Sequence, residues 1–195
     1  MLEVTWEWIA LDKAALDLAN TVAVDKGVAH DLLAAASDYQ RWAQAAAQSP
    51  ELTPDEAAAI TAARPRLLAL REHTRAVLHA TAADQPLPGP AVAALNTASR
   101  AAPQWPELGH HRQIEQHARG DAVQRLLAHY ARSTMELAAD GSARLRICRA
   151  PSCGMFYRPR RRQQRWCSQP CGNRARVARH YRAHHSSGSP PPERG

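Results

Sequence analysis

Apolar residues recur every three or four positions along most of this chain, and strict alternation appears only near its C-terminal end. The first stripe, Leu11, Ala14, Ala15, Leu18, Ala19 and Val22, predicts a helix over residues 11–24, broken by Lys26-Gly27. Ser37 then stands as the N-cap of a second helix reaching about residue 48, stopped by Ser49-Pro50, with Tyr39 and Trp42 as core anchors. Thr53-Pro54-Asp55-Glu56 is the clearest helix start, with a capping hydroxyl, proline in the first turn and Glu three residues after the cap. That helix is expected to run to about residue 83 with Ile60, Leu67, Leu68, Leu70, Val77 and Leu78 inward. Pro65 must kink or split it near Ala63, because proline lacks the amide donor and crowds the preceding turn.

A stiff turn at 84–90 precedes a short helix over Ala91–Ser99. Pro103 to Gly109 breaks regularity, and the polar stretch holding His110, His111 and His117 reads as a short strand or a loop. Those three histidines lack a cysteine or acid placed with them and are expected to be surface composition. Asp121 caps a long helix over Ala122–Ala139, with Val123, Leu126, Leu127, Tyr130, Met135 and Leu137 on its apolar side and Asp140-Gly141 at its end.

The period then changes. Arg144-Leu145-Arg146-Ile147-Cys148 alternates as a strand, and Gly154-Met155-Phe156-Tyr157 is expected to return antiparallel to it, with Phe156, Tyr157 and Trp166 forming a miniature core. Cys171 to Arg182 reads as a helix, capped by Ser168 with Pro170 in its first turn. Val177, Ala178 and Tyr181 share one side and are expected to lie on the preceding module. Arg176, Arg179 and His180, with Asn173 beside them, share the other; Arg174 points toward the apolar side and is expected to pack its stem or pair locally. The fold class is therefore mainly α. A multi-helix domain over 1–140 carries a small C-terminal module over 141–185, a β-ribbon followed by a basic helix, and a Ser/Gly/Pro-rich tail over 186–195 is expected to be disordered.

The chain's four cysteines all fall in that module, as Cys148-x4-Cys153 and Cys167-x3-Cys171. Four thiolates so spaced can close a tetrahedral shell around a structural Zn²⁺; two disulfides are the rival reading and need an oxidising compartment. Met1 to Trp8 has no basic n-region and no apolar core of a secretory signal, and no apolar run approaches the roughly 20 residues that span a bilayer. A cytoplasmic location, reduced thiols and no membrane partner are therefore expected. A ribbon module of this size buries too little apolar surface to fold alone, so the metal would supply most of its folding energy.

Charge sharpens the picture. Residues 1–140 hold twelve Lys/Arg against seventeen Asp/Glu, a net of −5, whereas residues 141–195 hold thirteen Arg against the single Glu193, a net of +12. No acid occurs from Gly141 to Pro192. A cationic patch of this density on a near-neutral body points to a polyanion, commonly nucleic acid.

The residues Cys171-Gly172-Asn173-Arg174, preceded by Arg165-Trp166-Cys167-Ser168 and followed by Ala175 to Arg182, resemble the CGNR zinc fingers. The likeness is strong over about 144–185 and rests upstream on Leu16-Asp17-Leu18-Ala19-Asn20-Thr21 and Leu70-Arg71-Glu72. The resemblance implies an N-terminal helical domain of the kind called ABATE, and a stress-linked transcription regulator. One departure stands out. Where the family often carries an acid and a Ser/Thr-Arg step between the cysteine pairs, this loop reads Phe156-Tyr157-Arg158-Pro159-Arg160-Arg161-Arg162-Gln163-Gln164, which holds no acid and is more cationic instead.

The expected function is zinc-dependent DNA binding, with Cys148, Cys153, Cys167 and Cys171 as metal ligands. Phosphate or base contacts are assigned to Asn173, Arg174, Arg176, Arg179, His180 and Arg182 on the helix and to Arg160, Arg161, Arg162 and Arg165 in the loop. The alternative is a zinc-thiolate module for redox sensing or protein interaction. An enzyme is not expected, because four cysteine ligands leave no open metal position and no catalytic set converges. The N-terminal domain is expected to act as an effector module. Asp17, Asn20 and Arg71 are its candidate small-molecule contacts, although Asn20 is more simply a side chain that hydrogen-bonds nearby backbone.

Overall fold

The computed structural model describes residues 14–25, 28–47 and 53–185. The turn at Lys26-Gly27, the helix stop at Ser49-Pro50, the N-terminal residues to 13 and the tail over 186–195 lie outside the described residues.

The first helix is short. Helix α1 (Ala14–Ala19) gives way to strand β1 (Val22–Asp25), which pairs antiparallel with β2 (Val28–Asp31) in the register Val22↔Asp31. The expected continuation of the helix to Val24 is thus incorrect, and the hydrogen bonds say why. The Leu18 and Ala19 carbonyls, which further helical turns would need, accept instead from the Thr21 hydroxyl at 2.7 Å and from Arg75 Nη1 at 2.6 Å. The β-branched Val22 and Val24 then favour a strand.

Helix α2 (Ala36–Ala47) brings Tyr39 and Trp42 inward. The Thr53 capping box opens helix α3 (Pro54–Ala62), and Ala63 separates it from α4 (Arg64–Ala82), the break imposed by Pro65. Helix α5 (Gly89–Ala101) follows, then a hairpin of β3 (Gln104–Leu108) and β4 (Ile114–Ala118) that carries His117. Asp121 and Gln124 form a second capping box at the start of α6 (Ala122–Asp140), and Gly141, at φ 75°, ends it in a conformation that costs glycine least.

The main core lies among α2 to α6. Trp42 stacks on Tyr130 with ring centroids 5.7 Å apart, and the buried Tyr39 hydroxyl donates to the Ile60 carbonyl at 2.7 Å. Helix α1 is anchored to α6 because the Ala15 amide donates to Ser133 Oγ at 3.0 Å. The first hairpin is held to α4 by Arg71, whose Nη1 and Nη2 each lie 2.7 Å from the Asp31 carboxylate while Nη1 also reaches Thr21 Oγ1. That guanidinium holds Asp31 below the usual carboxylate range.

A ribbon of β5 (Arg146–Ile147) and β6 (Phe156–Tyr157) follows, then helix α7 (Gln169–His185), as the alternation and the capping signals predict. Phe156 departs from the expectation. It does not complete a private core for the module. It is 1% exposed among Ala15, Leu16, Ala19, Leu78, Leu137 and Leu145, side chains of the N-terminal domain and its exit. The His79 ring meets it edge-on at 4.8 Å and the Arg75 guanidinium lies 5.7 Å from its centroid. Asn20 closes the joint. Its Nδ2 donates to the Phe156 carbonyl at 2.9 Å and its Oδ1 accepts from the Phe156 amide at 2.8 Å. Ribbon and helical domain share one buried seam.

Candidate metal centre and basic surface

Two tight turns bring the thiols together. The strand exit at Cys148 is fixed by its amide donating to the Met155 carbonyl at 2.9 Å, and the Cys153 amide closes a turn on the Ala150 carbonyl at 3.1 Å, with Ser152 at φ 58°. The second pair straddles the start of α7. Ser168 caps it, its Oγ accepting from the Cys171 amide at 3.4 Å and its carbonyl from the Gly172 amide at 3.2 Å. Gly172 lies at a close approach, since a Cβ there would stand 3.0 Å from Trp166 Cδ1.

All four sulfurs lie within 4.8 Å of one another, and none is in a disulfide. Tetrahedral Zn–S bonds of about 2.3 Å place sulfurs about 3.8 Å apart. Cys153 Sγ and Cys167 Sγ stand at 3.8 Å, and Cys167 Sγ and Cys171 Sγ at 3.5 Å, so the set fits Zn²⁺. Left to each other, sulfurs this close cannot all ionise. A hydrogen bond from the Cys167 thiol holds Cys153 down at about 5, the same contact together with burial pushes Cys167 up, and burial pushes Cys148 up. A divalent cation resolves that conflict. Two donors already face the sulfurs, the Cys167 amide 3.4 Å from Cys148 Sγ and Arg174 Nη2 3.1 Å from Cys171 Sγ, and such outer contacts orient ligands and offset their charge.

The inter-pair loop is braced chiefly through backbone carbonyls rather than by a carboxylate of its own. Arg146 donates from Nη1 to the Gln164 carbonyl at 2.7 Å and from Nη2 to the Arg162 carbonyl at 2.9 Å. The Tyr157 hydroxyl donates to the Gln164 carbonyl at 3.0 Å, and Gln164 itself spans the Arg160 amide and the Trp166 carbonyl. The contact of Arg158 with Asp140, 3.9 Å, ties the loop to the end of α6. Nothing in the sequence pattern singled out Arg146 or Gln164; only the fold reveals that their reach is to carbonyls.

The arrangement of α7 corrects one expectation. Cys171 and Ala175 are its buried positions, whereas Val177 and Tyr181 are 55% and 61% exposed. The helix rests on the module along its Cys171–Ala175–Ala178 edge, because the metal ligand fixes which side faces inward. Asn173, Arg176, Arg179, His180 and Arg182 are exposed, with Arg176 hydrogen-bonded to Asn173 and Arg182 Nε donating to the Ala178 carbonyl. Arg160, Arg161, Arg162 and Arg165 are exposed in the loop. Arg174 sits against the metal site. The upstream candidates make contacts within the described residues. Asn20 is spent on Phe156, Arg71 on Asp31 and Thr21, and Asp17 is buried in α1. Arg149, beside the first ligand, was not anticipated. It lines a hollow of about 620 Å³ with Trp166, Tyr181 and Arg179. No helix among the described residues is long and apolar enough to cross a membrane.

Fold and site together define a helical domain fused to a four-cysteine structural zinc finger. The chain belongs to the ABATE family, described as "Putative stress-induced transcription regulator", whose model matches residues 12–141. The CGNR zinc finger model matches residues 144–184. No curated protein matches the chain.

Proposed function

We propose that the protein is a non-enzymatic regulator that grips DNA through its zinc-anchored C-terminal module, with the helical domain serving as an effector or sensing unit. One observation carries this reading. A metal-fixed helix displays Arg176, Arg179, His180 and Asn173 to solvent on a module without a single acid over 141–185. Counter-ion release would drive binding, with log affinity falling by about 0.9 per phosphate contacted for each decade of salt. The family description, transcription regulator, agrees with it.

The test is fluorescence anisotropy of the zinc-loaded full chain with random and genomic duplexes at two salt concentrations. Binding that weakens with salt and is lost in Arg176→Ala/Arg179→Ala supports the proposal. Negligible binding to every DNA sinks it and leaves the reading of a zinc-thiolate redox or protein-interaction module, which fast zinc loss under mild peroxide would support.

A further inference from the structure

Trp166 borders three surface hollows around the metal module, one of about 620 Å³ against α7, one of about 600 Å³ toward β5, and one of about 930 Å³ beside the inter-pair loop. The first two also share Arg149, so they adjoin along one side of the zinc knuckle. The hollow against α7 has an apolar floor of Pro151, Ala175 and Ala178 with two aromatic rings, Trp166 and Tyr181. Its rim carries three guanidiniums, Arg149, Arg179 and Arg182, and the adjoining hollow adds Arg146 and Arg165. No carboxylate enters any of the three linings.

A paired duplex buries the faces of its bases in the stack and offers a protein only phosphates and base edges. A lining of alanine, proline and ring faces offers little to a base edge, because the only polar atoms of its two rings, the Trp166 indole N–H and the Tyr181 hydroxyl, sit at the ring rims. It suits a base face, and the surrounding arginines suit the phosphates on either side of that base. Aromatic platforms set in a cationic groove are how proteins hold single strands. Burying Tyr181 beneath a base also removes from water a ring that the fold leaves 61% exposed.

We infer that this groove takes an unpaired base of a single-stranded DNA segment, seated between Trp166 and Tyr181 with its flanking phosphates on Arg149, Arg179 and Arg182. The inference rests on the DNA-binding reading above. It adds that the module prefers melted or single-stranded DNA to intact duplex.

The experiment compares a 12-nucleotide single strand, its duplex and the RNA of the same sequence, each labelled, titrated with the zinc-loaded full chain at one salt concentration. Tyr181→Ala, Tyr181→Phe and Arg176→Ala are the variants, and zinc content and melting temperature are checked in each. The expected result is about tenfold tighter binding of the single strand than the duplex, as an aromatic stack of this kind provides. Tyr181→Ala lowers single-strand affinity by about 5- to 100-fold, Tyr181→Phe restores it, and duplex affinity changes little. Equal loss on strand and duplex overturns the groove, as does a preference for duplex or for RNA. Displacement of the strand by an acidic, aromatic-containing peptide of equal affinity also overturns it and assigns the groove to a protein. Single-strand binding that needs Arg176 but ignores Tyr181 removes this inference alone. Absence of binding to all three nucleic acids removes the DNA reading with it.

Discussion

Replacing Asn20 with alanine is the sharpest test of how the two halves of the chain are joined. The side chain is 1% exposed and makes both of its hydrogen bonds, 2.9 and 2.8 Å, to the carbonyl and amide of Phe156. Truncation leaves that buried donor and that buried acceptor without their partner, at about 1–3 kcal/mol each. A central figure of about 4 kcal/mol for the two lowers the melting temperature by about 8–16 °C in a chain of this size. The loss should also be uneven. In the parent protein the seam couples the metal module to the helical domain, so circular dichroism at 222 nm and colorimetric zinc release should report one transition. In Asn20→Ala the zinc signal should precede the helical one. Asn173→Ala, an exposed change on α7, is the control and should leave both transitions in place. A shift below about 2 °C in Asn20→Ala, with zinc release still coincident with helix loss, would refute the argument that this amide carries the joint.

Three further outcomes follow. Purified reduced protein should carry one zinc per chain, and Cys153→Ser should abolish it with loss of the α7 helical signal, both read by metal analysis and circular dichroism, because the metal supplies most of the folding energy of so small a module. Gly172→Ala should release zinc to a chelator faster, since the added Cβ meets Trp166 Cδ1 at 3.0 Å; overpacking of about 1–3 kcal/mol outweighs the roughly 1 kcal/mol an alanine brings to a helix. Burial against Phe156 and the nearby Arg75 hold His79 below its ordinary value of 6.5, so the folded state binds fewer protons than the unfolded one. The stability this group contributes is complete above 6.5 and is lost as the pH falls through the folded value, and His79→Gln should remove that part of the acid sensitivity in urea titrations.

The helical frame was legible wherever one strong local signal decided the matter. Thr53 with Glu56, Asp121, Pro65 and Gly141 each act within a few residues of themselves. The four cysteines were legible because metal chemistry demands a count and a spacing. What escaped depended on contacts distant along the chain. Val22 to Val24 sits in phase with a helix, and Arg75, 56 positions after the carbonyl it holds, joins the Thr21 hydroxyl in diverting the chain. Phe156 read as the core of its own ribbon because nothing local says that helix α1 offers it a better site. The exposed placing of Val177 and Tyr181 follows from Cys171, whose sulfur must face the metal and so rotates the whole helix. Spacing could name that ligand, but the angle it imposes on the helix comes only with the folded site.

Asn20 and Phe156 stand 136 residues apart. At a ribosome adding about 5–20 residues per second, roughly 7 to 30 s pass between the emergence of one and the synthesis of the other. From the making of each until that of Phe156, Ala15, Leu16, Leu78 and Leu137 have no plug. The apolar seam of the helical domain is completed only when the last-made segment folds onto it. Because the metal fixes that segment, zinc supply should govern how soon the seam closes, which refolding of the full chain with and without added zinc would measure.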